Sequence, residues 1–203
     1  MSFPVALPER QAGPIAGLVC AAAVFGFGAM LDGYSQRQHP MGLLGATGIP
    51  HAFAFNLLAF VVPGLISAWI AWRLRQGLPD DTHWSARIGA WLVLIAALAF
   101  AAQGLLPLDL ADLEAVATHR HATSWMLWWI AFVPGALLFA LGLRNRRMLV
   151  ATSVLAALAV LLFAASPWHG LPSGIAQRVA FGVWFVWLVT AARSRIVDQA
   201  ARP

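Results

Sequence analysis

IGAWLVLIAALAFAAQGLLPL, residues Ile88–Leu108, runs for 21 positions without a charged side chain. A helix needs roughly 20 apolar residues to cross the hydrocarbon core of a bilayer, so this stretch alone argues for a membrane span. Four more uncharged runs of similar length surround it: Pro14–Leu31, Ala52–Trp72, Ala122–Leu143 and Met148–Trp168. A sixth, Val179–Ala192, is short. It reaches spanning length if the helix starts near Pro172, a residue well suited to a first turn. The expected architecture is all-α: one polytopic domain over residues 1–203 with six transmembrane helices, near 14–31, 52–72, 88–108, 122–143, 148–168 and 173–193, arranged as antiparallel hairpins. Arg10 ahead of the first run gives it the look of a signal peptide. With Met1 present in the chain, it is expected to be retained as the first span.

Composition supports lipid as the solvent. Of 203 residues, 61% are hydrophobic and 10% charged, against roughly a quarter charged in an average soluble domain. All 13 basic residues are arginine, and the net charge is +5. No nucleic-acid partner is implied, because the arginines fall in short clusters between apolar runs, as loops on the cytoplasmic side do. Arg10, Arg73, Arg75, Arg87, Arg144, Arg146, Arg147, Arg193, Arg195 and Arg202 share one side; Arg37, Arg120 and Arg178 share the other. The first side is expected to be cytoplasmic, with both termini there, in the inner (plasma) membrane. Cys20 is the single cysteine, so no internal disulfide is possible.

Helices two and four carry a weak repeat: His51-Ala52 leading to Pro63-Gly64, and His121-Ala122 leading to Pro134-Gly135. A mid-helix proline removes a backbone bond and bends the helix. Both helices are therefore expected to bend and to line a cavity near mid-membrane.

The chemistry lies on the outer side, where five of the six histidines fall: His39, His51, His119, His121 and His169. Asp32, Asp109, Asp112 and Glu114 join them, and Asn56, Gln103, Thr123 and Ser124 sit just inside the boundary. Arg178 lies about two turns into the sixth helix, where an unpaired cation is expensive. Asp109 is its expected partner and Asp32 the second choice. The catalytic candidates are Asp109, His121 and Arg178: the arginine to hold an anionic group with two parallel bonds, the histidine to move a proton, and the acid to orient one of them. Asn56, Gln103, His39 and Ser35 are the substrate-binding candidates. Headgroup depth suits a lipid or amphipathic small molecule, to be bound or modified. Membrane lipids are thus the expected partners.

Two alternatives stand beside this. One is a non-catalytic carrier, lipid-binding or interaction subunit; the lack of ionisable residues in the inner half of the spans argues against a proton-coupled transporter. The other is a metal-dependent hydrolase, with a transition metal such as zinc on His51, His119, His121 and Asp109. No recognised metal motif is present, and on a helix His119 and His121 point about 200° apart. Haem between His51 and His121 would require ligands at the very helix ends. Trp125, Trp128 and Trp129 read as an interfacial aromatic belt.

Three segments carry a family resemblance. They are Tyr34-Ser35-Gln36-Arg37-Gln38-His39-Pro40-Met41-Gly42-Leu43-Leu44-Gly45; Gly104-Leu105-Leu106-Pro107-Leu108-Asp109, with His119 and His121 beyond it; and Gly174-Ile175-Ala176-Gln177-Arg178 leading to Trp187. In order and spacing they resemble the DUF998 family of bacterial and archaeal membrane proteins. Gln177 stands where that family often has Glu. The resemblance implies a six-helix membrane fold and no particular activity. The layout is more distantly similar to that of the Frag1/DRAM/Sfk1 proteins, an analogy of architecture that points weakly toward lipid handling.

Overall fold

A computed structural model describes residues 9–143, 146–165 and 170–194. His169, Arg144, Arg195 and Arg202, and the expected end of the fifth helix at Trp168, lie outside the described residues. Within them the structure is helical, with no strand. The helices are α1 (Glu9–Met30), α2 (Ala52–Gln76), α3 (Trp84–Leu105), α4 (Val116–Gly142), α5 (Arg147–Ala165) and α6 (Ser173–Ala192). All six are long and apolar enough to span a membrane. A 3₁₀ turn at Met41–Gly45 punctuates the long loop between α1 and α2, on the side expected from the arginine distribution to be the outer one.

Local chemistry sets the helix ends. His83 caps α3, its Nδ1 accepting from the Ser85 amide at 3.3 Å. At the other end Pro107 drives Leu106 out of helical geometry (φ −124°, ψ 72°). α4 begins at Val116, six residues before the expected start of 122. A charge-based reading stops at the membrane boundary, whereas a helix extends past it with Thr118, His119 and Arg120 in its first turns.

Each helix packs on its neighbours in sequence, and α6 returns to α1 to close a ring. Consecutive spans are antiparallel. The α3–α4 hairpin is the most extensive contact, and small residues explain it. A Cβ on Gly89 of α3 would collide with the Phe139 amide of α4 and lie 2.6 Å from the Gly135 carbonyl. A Cβ on Gly64 of α2 would lie 2.6–2.7 Å from Ala101 of α3. Both Pro-Gly pairs therefore seat their glycine against α3, one from each side. This corrects the expectation of a mid-membrane cavity there: the glycines close the gap by direct backbone approach. Pro63 alone marks a change of helix type. Leu57–Val61 is a π-helical turn just ahead of it, which relieves the clash of the proline ring with the carbonyl one turn earlier. α4 continues as one helix through Pro134.

The outer half of the interior is an aromatic plug. Phe60, Phe100, Trp128, Phe181 and Trp184 are each 2% exposed or less. The Phe100 ring centroid lies 4.6 Å from Trp184, 4.8 Å from Phe181 and 5.3 Å from Phe60. Trp128 belongs to this plug rather than to an interfacial belt.

Candidate functional site

Arg178 organises the outer face. Its Nε donates to Gln36 Oε1 at 3.0 Å, and Nη2 donates to the same oxygen and to Tyr34 Oη at 2.6 Å each. Nη1 donates to the carbonyls of His39 (3.0 Å) and Gly174 (2.8 Å). A guanidinium has five N–H donors, and all five are satisfied here by uncharged oxygens. This corrects the expected pairing with Asp109 or Asp32: among the described residues no carboxylate forms an ion pair with Arg178. The cation is solvated by oriented dipoles, and its charge is not neutralised. Gln36 passes the link onward, donating from Nε2 to the Val24 carbonyl of α1 at 2.9 Å. Gly28, one turn further along α1, makes room for it, since a Cβ there would overlap the Gln36 amide. Gln177 Oε1 accepts from the Met41 amide at 2.6 Å, and Ser173 Oγ donates to the Gln38 carbonyl at 2.9 Å. The outer loop is thereby strapped to the first turns of α6. Tyr34, half-buried in this strap, has its hydroxyl pKa raised by burial, with the neighbouring Arg178 charge pulling the other way.

His121 holds a different joint. It is 7% exposed, and Nδ1 lies 2.9 Å from the Leu106 carbonyl and 3.2 Å from that of Gln103. Carbonyls only accept, so Nδ1 carries the proton and Nε2 presents its lone pair. α4 thus supplies the side chain that satisfies the last carbonyls of α3. The Nε2 edge faces Gly42, where a Cβ would come within 2.9 Å of it.

The other candidates are mostly engaged locally. Asp109 Oδ1 accepts from the Ala111 amide at 3.0 Å, and its backbone is bonded on both sides to Thr118 Oγ1 at 3.1 Å; it is a turn-former in the α3–α4 loop. Asn56 Nδ2 donates to the Gly45 carbonyl at 2.8 Å. His39 Nδ1 accepts from the Ser35 amide at 3.0 Å. His51 is exposed at the head of α2 in left-handed geometry (φ 61°). His119 is exposed and lies 3.6 Å from Glu114. Gln103 is fully buried, and neither amide atom has a partner among the described residues. The structure thus joins Arg178 with His39, and His121 with Gln103, while Asp109 forms no ion pair with either cluster. Among the described residues no three of His, Cys, Asp and Glu gather as a metal set. Tyr34 and Gln36 were missed as functional residues. The signal for them was their place in the same quoted loop segment as Ser35 and His39.

One cavity touches the Arg178 strap. α1 and α6 meet tightly at their arginine-rich ends, where a Cβ on Gly13 would lie 2.8 Å from the Val189 backbone. They then part. A Cβ on Gly17 would be 3.4 Å from Phe185, and one on Gly182 would meet nothing within 4 Å. The opening holds a slot of about 250 Å³ between α1 and α6, running from Gly17 and Phe185 up to Val24, Met41 and Arg178. Its wall is apolar except at the Arg178 end. At 1.5 Å per residue, the α1 side from Gly17 to Phe25 is roughly 12 Å long.

A family model described as "Protein of unknown function (DUF998)" matches residues 14–194. No curated protein and no solved structure matches the chain.

Proposed function

The chain belongs to the DUF998 family, and on that premise of a multi-pass membrane protein we propose that it binds an amphipathic lipid from the outer leaflet, tail first, in the slot between α1 and α6. The observation that carries this reading is the meeting of an apolar slot, open to the bilayer, with Arg178, a cation that no acid among the described residues neutralises. At hydrocarbon depth a groove of this size is filled by acyl chain, because its wall offers water no partners. The Arg178 charge at the outer end favours an anionic or phosphate-bearing headgroup over a purely cationic one. Since its five donors are already engaged, the arginine attracts the headgroup by charge, and the backbone amides and hydroxyls of the outer loop are left to make direct bonds. The reading seats the chain in the inner membrane, with the arginine-rich ends of α1 and α6 in the cytoplasm.

A second reading, lipid modification, is favoured by one observation: His121 is fixed through Nδ1 with Nε2 free to accept a proton. Asp109, His121 and Arg178 would serve it only if the α3–α4 loop moved toward the strap, so binding is the function the geometry supports better.

The test is to purify the chain and a Gly182→Leu variant from the same membranes and compare bound lipid by native mass spectrometry. Leucine at 182 projects into open space in the slot, so the fold is expected to survive. The expected result is the loss of one co-purifying lipid per chain with an unchanged melting temperature. Equal lipid occupancy in the two proteins would refute the slot.

A further inference from the structure

A second cavity lies at the opposite end from the strap. It measures about 670 Å³ and opens beside the α2–α3 loop, against the arginine-rich end of α4. One wall is apolar: Leu141, Gly142 and Leu143 at the end of α4. The rim is polar, with Asp81, Thr82 and His83 on one side and Arg146 on the other.

The charge arrangement at this rim is specific. Arg87 shapes the loop. Its Nη2 donates to the carbonyls of Pro79 (3.0 Å) and Asp80 (2.9 Å), and it also lies 3.9 Å from the Asp80 carboxylate. These contacts take up Arg87 and Asp80. His83 is oriented by Ser85, whose hydroxyl lies 2.9 Å from Nδ1, so its Nε2 edge is free. Neither the Arg146 guanidinium nor the Asp81 carboxylate has a hydrogen-bond or ion-pair partner among the described residues, and the two do not pair with each other. One cation and one anion thus line the same cavity, unneutralised, above an apolar wall, at the level where the spans end. Opposite charges left apart across a cavity are satisfied together by a ligand that carries both signs.

We propose that this cavity is a binding site for a zwitterionic ammonium–phosphodiester headgroup. Arg146 takes the phosphate, with Thr82 and His83 as further donors; Asp81 takes the ammonium; Leu141 and Leu143 lie along the glycerol and first methylenes. A singly anionic headgroup satisfies Arg146 but leaves it facing Asp81 repulsion, so the site discriminates by the acid and holds by the arginine. The same headgroup chemistry reaches the site either on a lipid of that leaflet or as the free soluble glycerophosphodiester.

The experiment uses the full chain carrying Gly182→Leu, so that the outer slot does not contribute. It is reconstituted in nanodiscs of phosphatidylglycerol and phosphatidylethanolamine in equal amounts, and the retained lipid is identified by native mass spectrometry. Enrichment of phosphatidylethanolamine is expected. Asp81→Asn should abolish that preference while lipid is still held, and Arg146→Gln should lower retention of both lipids by roughly tenfold, the scale of one charge-assisted bond. Added glycerophosphoethanolamine separates the sources: displacement assigns the site to the soluble form, and no displacement assigns it to the lipid. Absence of enrichment in the parent, or enrichment that survives Asp81→Asn, overturns the proposal. Asp81 is exposed in a loop, so this variant decides the matter even if Arg146→Gln folds poorly.

Discussion

Arg178 shows how a cation is accommodated at membrane depth without an acid. A salt bridge is one way to lower the cost of a buried charge; four oriented neutral oxygens, accepting five bonds between them, are another, and they also fix the direction of the side chain. Two of the bonds go to Gln36 Oε1 and so link the arginine through Gln36 to α1, while Tyr34 and His39 tie it to the outer loop. Lysine keeps the charge but has three donors and no planar fork. Arg178→Lys is therefore expected to loosen the strap, costing about 2–3 kcal/mol. The check is limited trypsin digestion of the folded protein: cleavage after the exposed Arg37 should accelerate in the variant, with the helical circular dichroism unchanged. At this scale the sequence revealed that Arg178 needed satisfying, because an isolated arginine inside an apolar run stands out. It did not reveal how. Carbonyl oxygens have no signature in a sequence, and a glutamine on a loop over a hundred residues away gives no reason to prefer it to an aspartate. His121 was noticed for its chemistry, yet what it bonds to is again backbone, the frayed end of α3.

The packing of helices is governed by where side chains are missing. Gly89 and Gly135 allow α3 and α4 to touch along their backbones, whereas Gly182 looks onto the slot. The same substitution should therefore have opposite consequences. Gly89→Ala places a methyl against the Phe139 amide and is expected to destabilise by about 1–3 kcal/mol. Gly182→Ala meets nothing and should leave stability unchanged or raise it slightly, since alanine favours helix. Thermal unfolding of both variants in one detergent reads the contrast directly. The number, order and approximate limits of the spans were legible, because a run of twenty apolar residues has few other uses. The Pro-Gly pairs were legible as special positions, but their meaning was inverted. A proline suggested a bend and a cavity, while the adjoining glycine does the opposite by drawing a neighbour in. Hydropathy is blind to this, since glycine and alanine count almost alike in it and differ decisively at 2.6 Å.

Six spans place the beginning of α1 and the end of α6 at one face, where Gly13 meets Val189. On the proposed topology, which rests on the arginine distribution, that face is the cytoplasmic one. A reporter that fluoresces only in the cytoplasm should be active when fused after Pro203 and inactive when inserted after Asp112; the reverse pattern would invert the topology. At this scale the apolar runs carried most of the message, because the bilayer imposes its thickness on any chain that crosses it. Which helices touch beyond sequence neighbours was not legible, and closure of the ring by α6 on α1 is the main such contact. That closure has a bearing on biosynthesis. Between Met30 and Ser173 the ribosome must add the whole of four spans, on the order of ten seconds at ordinary rates of elongation. Throughout that interval the face of α1 destined for α6 has no protein to cover it and is bathed by the surrounding membrane. α6 then meets a surface already wetted by acyl chains, and its closest approach to α1 is where Gly13 meets Val189. The seam can be made only once the last span is in place, so membrane lipid has access to the α1 wall of the slot before α6 does.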